Sequence, residues 1–241
     1  MLRHNERVHT LWPEARIAHV EERPAITTFP ALLQQAVGDQ LADFYRLTAQ
    51  PNERIAGHES NVLLVEPKDA LRYGYRLWAE KSTGLLLRAD VLDANGGVVE
   101  TSAFSEVSLG VRSQADAVLA QMKKLDGWKV VKPAMTPTRL EDEGWSLQPG
   151  VPGFRMLSCV KRPLGEAEGG QVLQSIWSDG LTHVSVFIEP YDAKRHTREM
   201  STKVGATQTL MRQRGDAWVT VVGDVPAATL KKFTAGLERR K

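Results

Sequence analysis

The chain has 241 residues, of which 42% are hydrophobic, so it can bury a sizeable core in one large domain or two small ones. Its 31 basic and 29 acidic residues leave a formal net charge of +2, which argues against a nucleic-acid-binding protein that relies on electrostatics. No apolar run approaches the length of about 18 residues that a membrane-spanning helix needs, so a membrane-spanning protein is excluded.

The first residues and the cysteine content bear on the cellular compartment. Residues 1–6 (MLRHNE) are too polar for a signal peptide, because they lack an apolar core, and taken alone they favour the cytoplasm. Cys159 is the only cysteine, so no internal disulfide can form, and cysteine usage does not decide the compartment.

Alternating and helical patterns predict the first elements. Residues 7–12 and 16–22 alternate on either side of a Pro-Glu turn and predict a hairpin. Residues 29–37 predict a short helix, with Thr28 and Gly38 at its capping positions. Strands are then predicted at residues 43–49, 54–66, 71–79, 85–92 and 98–109.

The strands at residues 71–79 and 85–92 predict a hairpin at the centre of a sheet, with Gly84 in the turn between them. The first of these strands has two different faces, one with Tyr73, Tyr75 and Leu77 and the other with Arg72, Gly74 and Arg76. One face is therefore predicted to be apolar and the other cationic or bare.

A helix from Ser113 carries one apolar stripe, formed by Val118, Leu119, Met122 and Leu125. Two prolines and an acidic run predict a linker at residues 133–143. After the linker, strands are predicted at residues 155–161, 172–178, 182–189, 207–214 and 217–223, followed by a helix at residues 226–239.

The sequence contains no recognisable catalytic or metal-binding pattern. The six histidines lack zinc-site spacing, and no nucleophile elbow, phosphate-binding loop or dinucleotide fingerprint occurs, so no catalytic residue, metal or cofactor is predicted. Residues 72–76 (RYGYR) could form a base-stacking platform, and Asp69 could form a carboxylate pair with Asp90 or Asp93. An ordinary strand and ordinary ion pairs explain both patterns, so the residues indicate a non-enzymatic, β-rich binding protein.

Six short motifs carry a resemblance to a known family. They are RYGYRLW (72–78), TGLLLRADVL (83–92), RIAG (54–57), SDGL (178–181), VSVFIE (184–189) and VTVVGDVP (219–226). Together they resemble the RseB/MucB family of sigma-E (AlgU) regulatory proteins, over about residues 2–237.

The resemblance implies a periplasmic negative regulator of an envelope-stress response. Such a protein binds the periplasmic segment of an anti-sigma factor (RseA or MucA) and protects it from proteolysis, and lipid or lipopolysaccharide binding releases that segment. The resemblance therefore reverses the cytoplasmic interpretation. Because the match begins within the first domain, a signal peptide and the opening of that domain are expected to be missing from this chain.

The implied fold is α+β and mostly antiparallel β. A LolA-like unclosed half-barrel, lacking its first strands and with helices in its hollow, is expected at residues 1–132. A linker at residues 133–143 then leads to a smaller β-rich, partner-binding domain at residues 144–241. A lipid or lipoprotein carrier of the LolA/LolB type is the alternative, which the second domain argues against.

Two sets of site residues follow from the resemblance and the strand patterns. The partner-binding candidates are Arg72, Tyr73, Tyr75, Arg76, Trp78, Asp179, Phe187 and Glu189. The candidates for a lipid pocket are Leu77, Leu85, Leu87, Val91, Leu119 and Met122. The expected partners are an anti-sigma segment and a lipid or lipopolysaccharide, and the interpretation also allows a homo-oligomer.

Overall fold

A computed structural model describes residues 1–22, 39–111, 115–132, 135–164 and 170–240, with only the backbone of Asp39 and Gln40. The chain forms two compact units. The first unit combines Met1–Ile26 with Ser108–Met135, and the second combines Thr27–Val107 with Thr136–Lys241. The helix predicted at residues 29–37 lies outside the described residues.

The elements follow in chain order. They are β1 (Leu2–His4), β2 (Arg7–Trp12), β3 (Ile17–Glu22), α1 (Asp39–Phe44), β4 (Tyr45–Ile55), β5 (His58–Pro67), β6 (Gly74–Glu80), β7 (Leu86–Leu92), β8 (Val98–Ala103), α2 (Ala115–Lys123), β9 (Lys129–Val131), β10 (Thr136–Pro137), β11 (Trp145–Leu147), β12 (Arg155–Pro163), β13 (Gln171–Ser178), β14 (His183–Pro190), β15 (Met200–Val204), β16 (Thr207–Arg214), β17 (Ala217–Gly223), α3 (Ala227–Gly236) and β18 (Leu237–Arg239). The predicted α+β, mostly antiparallel fold is confirmed.

The first unit contains a four-stranded sheet in the order β1-β2-β3-β9, in which only the β3–β9 pair is parallel. The predicted opening hairpin is confirmed as β2 and β3. Helix α2 lies against β1 and carries three residues of the predicted apolar stripe: Met122 is buried, while Val118 and Leu119 are half-buried. Leu125, the fourth predicted residue, lies beyond the end of α2 and is half-buried.

The second unit contains a five-stranded antiparallel sheet in the order β4-β5-β6-β7-β8. The strand predicted at residues 43–49 is wrong in extent, because β4 starts at Tyr45 and continues through Pro51 to Ile55. Proline is tolerated there because β4 is an edge strand, and the pairing with β5 shifts between Gln50 and Glu53.

Strand β6 begins at Gly74, three residues later than predicted. The Asp69 carboxylate accepts hydrogen bonds from the Leu71 amide (2.9 Å) and from Arg72 Nε (3.0 Å), which extends the preceding bend. Arg72 therefore precedes the strand, and the prediction that it lies on one strand face with Arg76 is wrong: Arg72 is buried before the strand and Arg76 is half-buried within it.

The second unit also contains a seven-stranded antiparallel sheet in the order β10-β12-β13-β14-β17-β16-β15. The predicted alternation in β14 is confirmed, since Val184, Val186 and Ile188 are buried while the residues between them are half-buried. Helix α3 packs on the buried face through Leu230 and Phe233. The predicted last helix is shorter than expected, because β18 forms at its end and pairs with β11.

The described part of the predicted linker is not an open connection. Residues 136–137 form β10, which pairs with β12, and Leu140 is buried in the core of the seven-stranded sheet. Glu143 forms an ion pair with Lys161 at 2.9 Å. The domain boundaries on either side of this stretch stay a prediction.

In the part of the chain that the structure describes, no helix is long and apolar enough to cross a membrane.

Candidate partner-binding site

The central feature of the second unit is a buried ion pair between Arg72 and Asp179. Arg72 Nη1 donates to Asp179 Oδ2 at 2.9 Å, and neither side chain is exposed. Arg72 Nη2 donates to the carbonyl oxygen of Pro152 at 2.7 Å, and Tyr45 Oη donates to Asp179 Oδ2 at 2.8 Å. We call Arg72, Asp179, Tyr45 and Pro152 the Arg72 cluster.

The turn between β13 and β14 positions Asp179. Its second carboxylate oxygen, Oδ1, accepts the amide hydrogens of Leu181 (3.0 Å) and Thr182 (2.9 Å). The same turn directs Leu181 into the apolar core of the five-stranded sheet, where it packs with Tyr45, Val65, Tyr75, Leu77, Leu86 and Ala89. The turn thus joins the five-stranded sheet to the seven-stranded sheet.

The electrostatics of the Arg72 cluster favour a charged pair. Burial opposes the charge on Arg72, but the hydrogen bond to Asp69 and the charge of Asp179 outweigh it, so the pKa of Arg72 is raised. Burial, and secondly the charge of Asp179, raise the pKa of Tyr45 and of Tyr75. The Arg72 guanidinium also lies 4.5 Å from the ring centre of Phe44. The side chains of Arg72 and Asp179 are fully buried and hydrogen-bonded to one another and to their neighbours, so the cluster is suited to hold elements in place.

The remaining partner-binding candidates do not form one surface with the Arg72 cluster. Tyr73 is buried, and its hydroxyl accepts a hydrogen bond from Gln208 Nε2 at 3.2 Å. Trp78 is buried and donates to Glu53 Oε2 at 3.0 Å. Tyr75, as described above, lies in the apolar core of the five-stranded sheet.

Phe187 and Glu189 lie on the opposite face of β14 from the core of the seven-stranded sheet, and both are half-buried. The Arg162 guanidinium lies 5.5 Å from the Phe187 ring centre, and Glu189 pairs with Arg195 at 2.9 Å. Among the candidates, Phe187, Glu189 and Arg76 are the ones that are partly exposed to solvent and therefore accessible to a partner.

The first unit contains two cavities that share a wall. One, of about 470 Å³, is lined by Leu119 and Met122 of α2 together with residues of β2. The other, of about 580 Å³, is lined by Val20, Leu125, Val130 and Met135 among others. His9 borders both cavities and is buried, and neither of its ring nitrogens has a hydrogen-bond partner. Burial, and secondly the charge of Arg7, lower the pKa of His9, which favours the neutral ring.

The lipid-pocket candidates are separated by the structure. Leu119 and Met122 line the smaller cavity of the first unit, whereas Leu77 and Leu87 are wholly buried in the second unit. Leu85 and Val91 are half-buried there. Among the described residues, no group of three His, Cys, Asp or Glu side chains is arranged to hold a metal ion.

Sequence reasoning missed Tyr45, His9 and Leu181. Nothing local distinguishes Tyr45, because its partner Asp179 lies 134 residues away. His9 could have been noticed as a polar residue between Val8 and Thr10 in an otherwise ordinary strand. Leu181 belongs to the SDGL motif, and this motif was the one signal in the sequence that could have identified it.

Sequence profiles of two domains match this chain. The profile of the MucB/RseB N-terminal domain matches residues 1–123, and that of the MucB/RseB C-terminal domain matches residues 139–238. The chain belongs to the MucB/RseB family.

Individual MucB and RseB proteins agree with this assignment. The chain is 30% identical to the sigma factor AlgU regulatory protein MucB of Pseudomonas aeruginosa over 204 residues, which are 82% of this chain and 62% of that protein. It is 26% identical to the sigma-E factor regulatory protein RseB of Salmonella typhimurium over 83% of this chain and 61% of that protein. The chain thus spans about three fifths of the length of these curated relatives.

Solved MucB structures share the fold. A crystal structure of MucB in complex with MucA(peri) has a TM-score of 0.66 at 28% identity, covering 87% of this chain and 73% of that one. The complex of Pseudomonas aeruginosa MucA and MucB has a TM-score of 0.65 at 27% identity, covering 84% of this chain and 67% of that one. The MucB/RseB resemblance seen in the six motifs is therefore confirmed.

Proposed function

We propose that this protein is a periplasmic regulator that binds the periplasmic segment of an anti-sigma factor and protects it from proteolysis. The observation that carries the proposal is the similarity, over 87% of this chain, to MucB in complex with MucA(peri). The regulatory names of the relatives support the same role. Binding alone is sufficient for protection, because a protease acts on accessible, extended chain and a docked segment is less accessible.

The second unit has properties that suit a binding protein. Its five-stranded and seven-stranded sheets are joined by the fully buried Arg72–Asp179 pair and by Leu181, so a surface formed by either of them keeps its geometry. A surface that is ordered before binding loses little conformational entropy when the partner docks. We assign the Arg72 cluster a positioning role and the more exposed Arg76, Phe187 and Glu189 a contact role.

The test is a titration of the fluorescently labelled periplasmic segment of Pseudomonas aeruginosa MucA, read by anisotropy, with a scrambled segment as control. Saturable binding with a dissociation constant of about 10 μM or below is expected, since a specific regulatory contact contributes roughly 7 kcal/mol or more. The bound segment should also be cleaved more slowly by a nonspecific protease. Absence of saturable binding by the unmodified protein would contradict the proposal.

The proposal has a second part, namely that lipid binding releases the segment. It is supported by the two cavities of the first unit, both of which border His9. The two cavities combine apolar side chains with the unpaired imidazole of His9 and with charged residues, including Arg7 and Glu22 in both, and such a mixture suits an acyl chain with a charged end. A lipid can release the segment only if it binds the segment-free form more tightly, and the segment must then weaken lipid binding by the same factor.

This part is tested by repeating the titration with rising concentrations of a lysophospholipid below its micelle concentration. Met122→Trp, which fills the smaller cavity, should reduce the lipid effect and leave segment affinity unchanged, whereas Met156→Trp at a more exposed site should change neither. Segment affinity that does not respond to lipid in the unmodified protein would refute the release mechanism. Lipid binding without any segment binding would favour the LolA-type carrier instead.

A further inference from the structure

Strand β15 is an exposed edge of the seven-stranded sheet. Among the described residues it pairs with β16 alone, and all five of its residues are exposed. Two of these are apolar: Met200 is 37% exposed and Val204 is 78% exposed. Proteins usually protect an edge strand with proline, a bulge, extreme shortness or a charged side chain, because its unpaired backbone groups can accept another strand, and of these features β15 has only the charge of Lys203.

The other edge strands described in the second unit have a bulge, a proline or few residues. The pairing of β4 shifts between Gln50 and Glu53 and β4 contains Pro51, while the pairing of β8 with β7 shifts between Val91 and Leu92. Strands β10, β11 and β18 have only two or three residues. The register of β15 with β16 is regular over its whole length, so β15 is the edge strand suited to accept a partner strand.

The hairpin geometry shows which backbone groups of β15 face outward. Val204 and Thr207 pair across a two-residue loop, and Gly205 at the first loop position has a φ of 57°. In such a loop the flanking residues form a hydrogen-bonded pair, and hydrogen-bonded pairs recur at every second residue. Met200, Thr202 and Val204 therefore bond to β16, while the amide and carbonyl groups of Ser201 and Lys203 face outward.

The edge is held in place before any partner binds. Glu100 of β8 accepts the amide hydrogen of Ala206 at 2.9 Å. A Cβ at Gly205 would meet the same carboxylate, which can move, and the positive φ at this position is the feature that favours glycine. A fixed strand loses less conformational entropy on pairing than a mobile one.

The charges beside the edge define the partner. Lys203 on β15, and Lys194 and Arg198 in the segment before it, are all exposed. The carboxylate of Glu199 accepts the amide hydrogen of Gln213 at 3.1 Å, which does not cancel its charge, but the three cations outnumber this one carboxylate. A second copy of this chain would bring the same cations together, which disfavours edge-to-edge dimerisation, whereas an acidic strand would be attracted.

We infer that β15 binds an extended, acidic stretch of polypeptide by strand addition, and that this stretch belongs to the anti-sigma segment. The inference rests on the proposed function for the identity of the partner, while the strand-addition mode rests on β15 itself. The partner strand would hydrogen-bond to Ser201 and Lys203, cover Met200 and Val204, and place carboxylates near Lys203 and Arg198.

The test compares two variants at one position. Ser201→Pro removes an outward-facing amide hydrogen, which edge strands tolerate, whereas Ser201→Ala retains it. The probes are the MucA periplasmic segment and a synthetic seven-residue peptide that alternates glutamate with valine. Ser201→Pro should weaken binding of both probes by about tenfold, and Ser201→Ala should leave it unchanged. Lys203→Glu should weaken both, and more so at low ionic strength.

Amide hydrogen exchange of the unmodified protein gives an independent reading. Saturation with either probe should slow exchange at Ser201 and Lys203, while Thr202, already bonded to β16, should change little. Equal affinities of the proline and alanine variants, or unchanged exchange at Ser201 and Lys203, would overturn the inference. So would a dimer that Ser201→Pro dissociates, because that would assign the edge to a second copy.

The two probes separate this inference from the proposed function. Failure of the unmodified protein to bind the MucA segment contradicts the proposed function, and the glutamate–valine peptide then decides whether β15 accepts an acidic strand. Segment binding that is insensitive to Ser201→Pro retains the proposed function and refutes the role of β15.

Discussion

Arg72 shows how far a single residue can depart from the environment that its neighbours indicate. Its alternation with Tyr73 predicted a place on the cationic face of a strand, but its guanidinium is fully enclosed beside Asp179, which lies 107 residues away. A buried ion pair adds little net stability relative to an apolar pair, but losing one partner leaves an uncompensated buried charge. No local pattern can reveal a partner at that separation.

Asp179→Asn should therefore destabilise the protein strongly. We expect the free energy of unfolding in urea to fall by about 3–5 kcal/mol, because Arg72 stays charged and loses its counter-charge. Asp216→Asn is the matched control, since Asp216 also pairs with an arginine, Arg239, but at an exposed site, and it should have no measurable effect. Similar losses in both variants would contradict the account.

Glu80 gives stability a dependence on pH. Hydrogen bonds from the amide and hydroxyl groups of Thr83 and Ser82 lower the pKa of Glu80 from 4.5 to about 2. A carboxylate whose pKa is lower in the folded state stabilises that state above the unfolded pKa, and the contribution is lost as pH falls through the folded pKa. The relevant window is from about pH 4.5 down to about pH 2.

Glu80→Gln should accordingly lower stability at pH 6 and matter progressively less at lower pH. The measurement is the difference in urea midpoint between the unmodified protein and the variant at several pH values between 6 and 2. The difference in urea midpoint should shrink steadily as pH falls from about 4.5 to about 2. A constant difference would show that the carboxylate charge does not contribute.

At the scale of elements, period-two alternation predicted the strands where one face is buried. Strands β14, β16 and β17 match their predictions closely, because their apolar residues face the core of the seven-stranded sheet. Strand β15 was missed because all of its residues are exposed, so no alternation marks it. Strand β18 was absorbed into a predicted helix, because three residues are too few to show a period.

The pairing of β14 with β17 depends on glycine, which has no side chain, at position 223. A Cβ there would lie 2.5 Å from the carbonyl oxygen of His183 on β14, the strand paired with β17. Gly223→Ala should force β14 and β17 apart and cost about 1–3 kcal/mol of unfolding free energy. Gly150→Ala is the control, since nothing lies within 4 Å of the added atom. Equal midpoints for the two variants in urea would contradict the expectation.

At the scale of the molecule, six motifs were sufficient to identify the family. The order of short motifs can be recognised in a sequence, whereas contacts between distant residues cannot. The candidate site was less predictable. The SDGL motif identified Asp179, but neither the motif nor its spacing indicates that Leu181 completes the core of a sheet formed by residues 45–103. Such a contact depends on three-dimensional packing between distant segments.

Leu181→Ala should therefore weaken both sheets of the second unit together. The lost burial and the resulting cavity should cost about 2–5 kcal/mol. The fluorescence of Trp78 on β6 and of Trp218 on β17, each isolated by replacing the other tryptophans, should report the same lowered midpoint. Leu157→Ala, at a residue that is 58% exposed, should leave both midpoints unchanged. Separate transitions for the two tryptophans would contradict the coupling.

The position of Leu181 in the chain also has a kinetic consequence. Strands β4–β8 pair with their neighbours in sequence, so this sheet can assemble from short-range contacts as soon as it is synthesised. Its apolar face is then incomplete until the turn that carries Leu181, about 80 residues beyond β8, has emerged. During that interval the emerging chain exposes a surface prone to aggregation, so a folding helper that shields it would act until about three quarters of the chain has emerged.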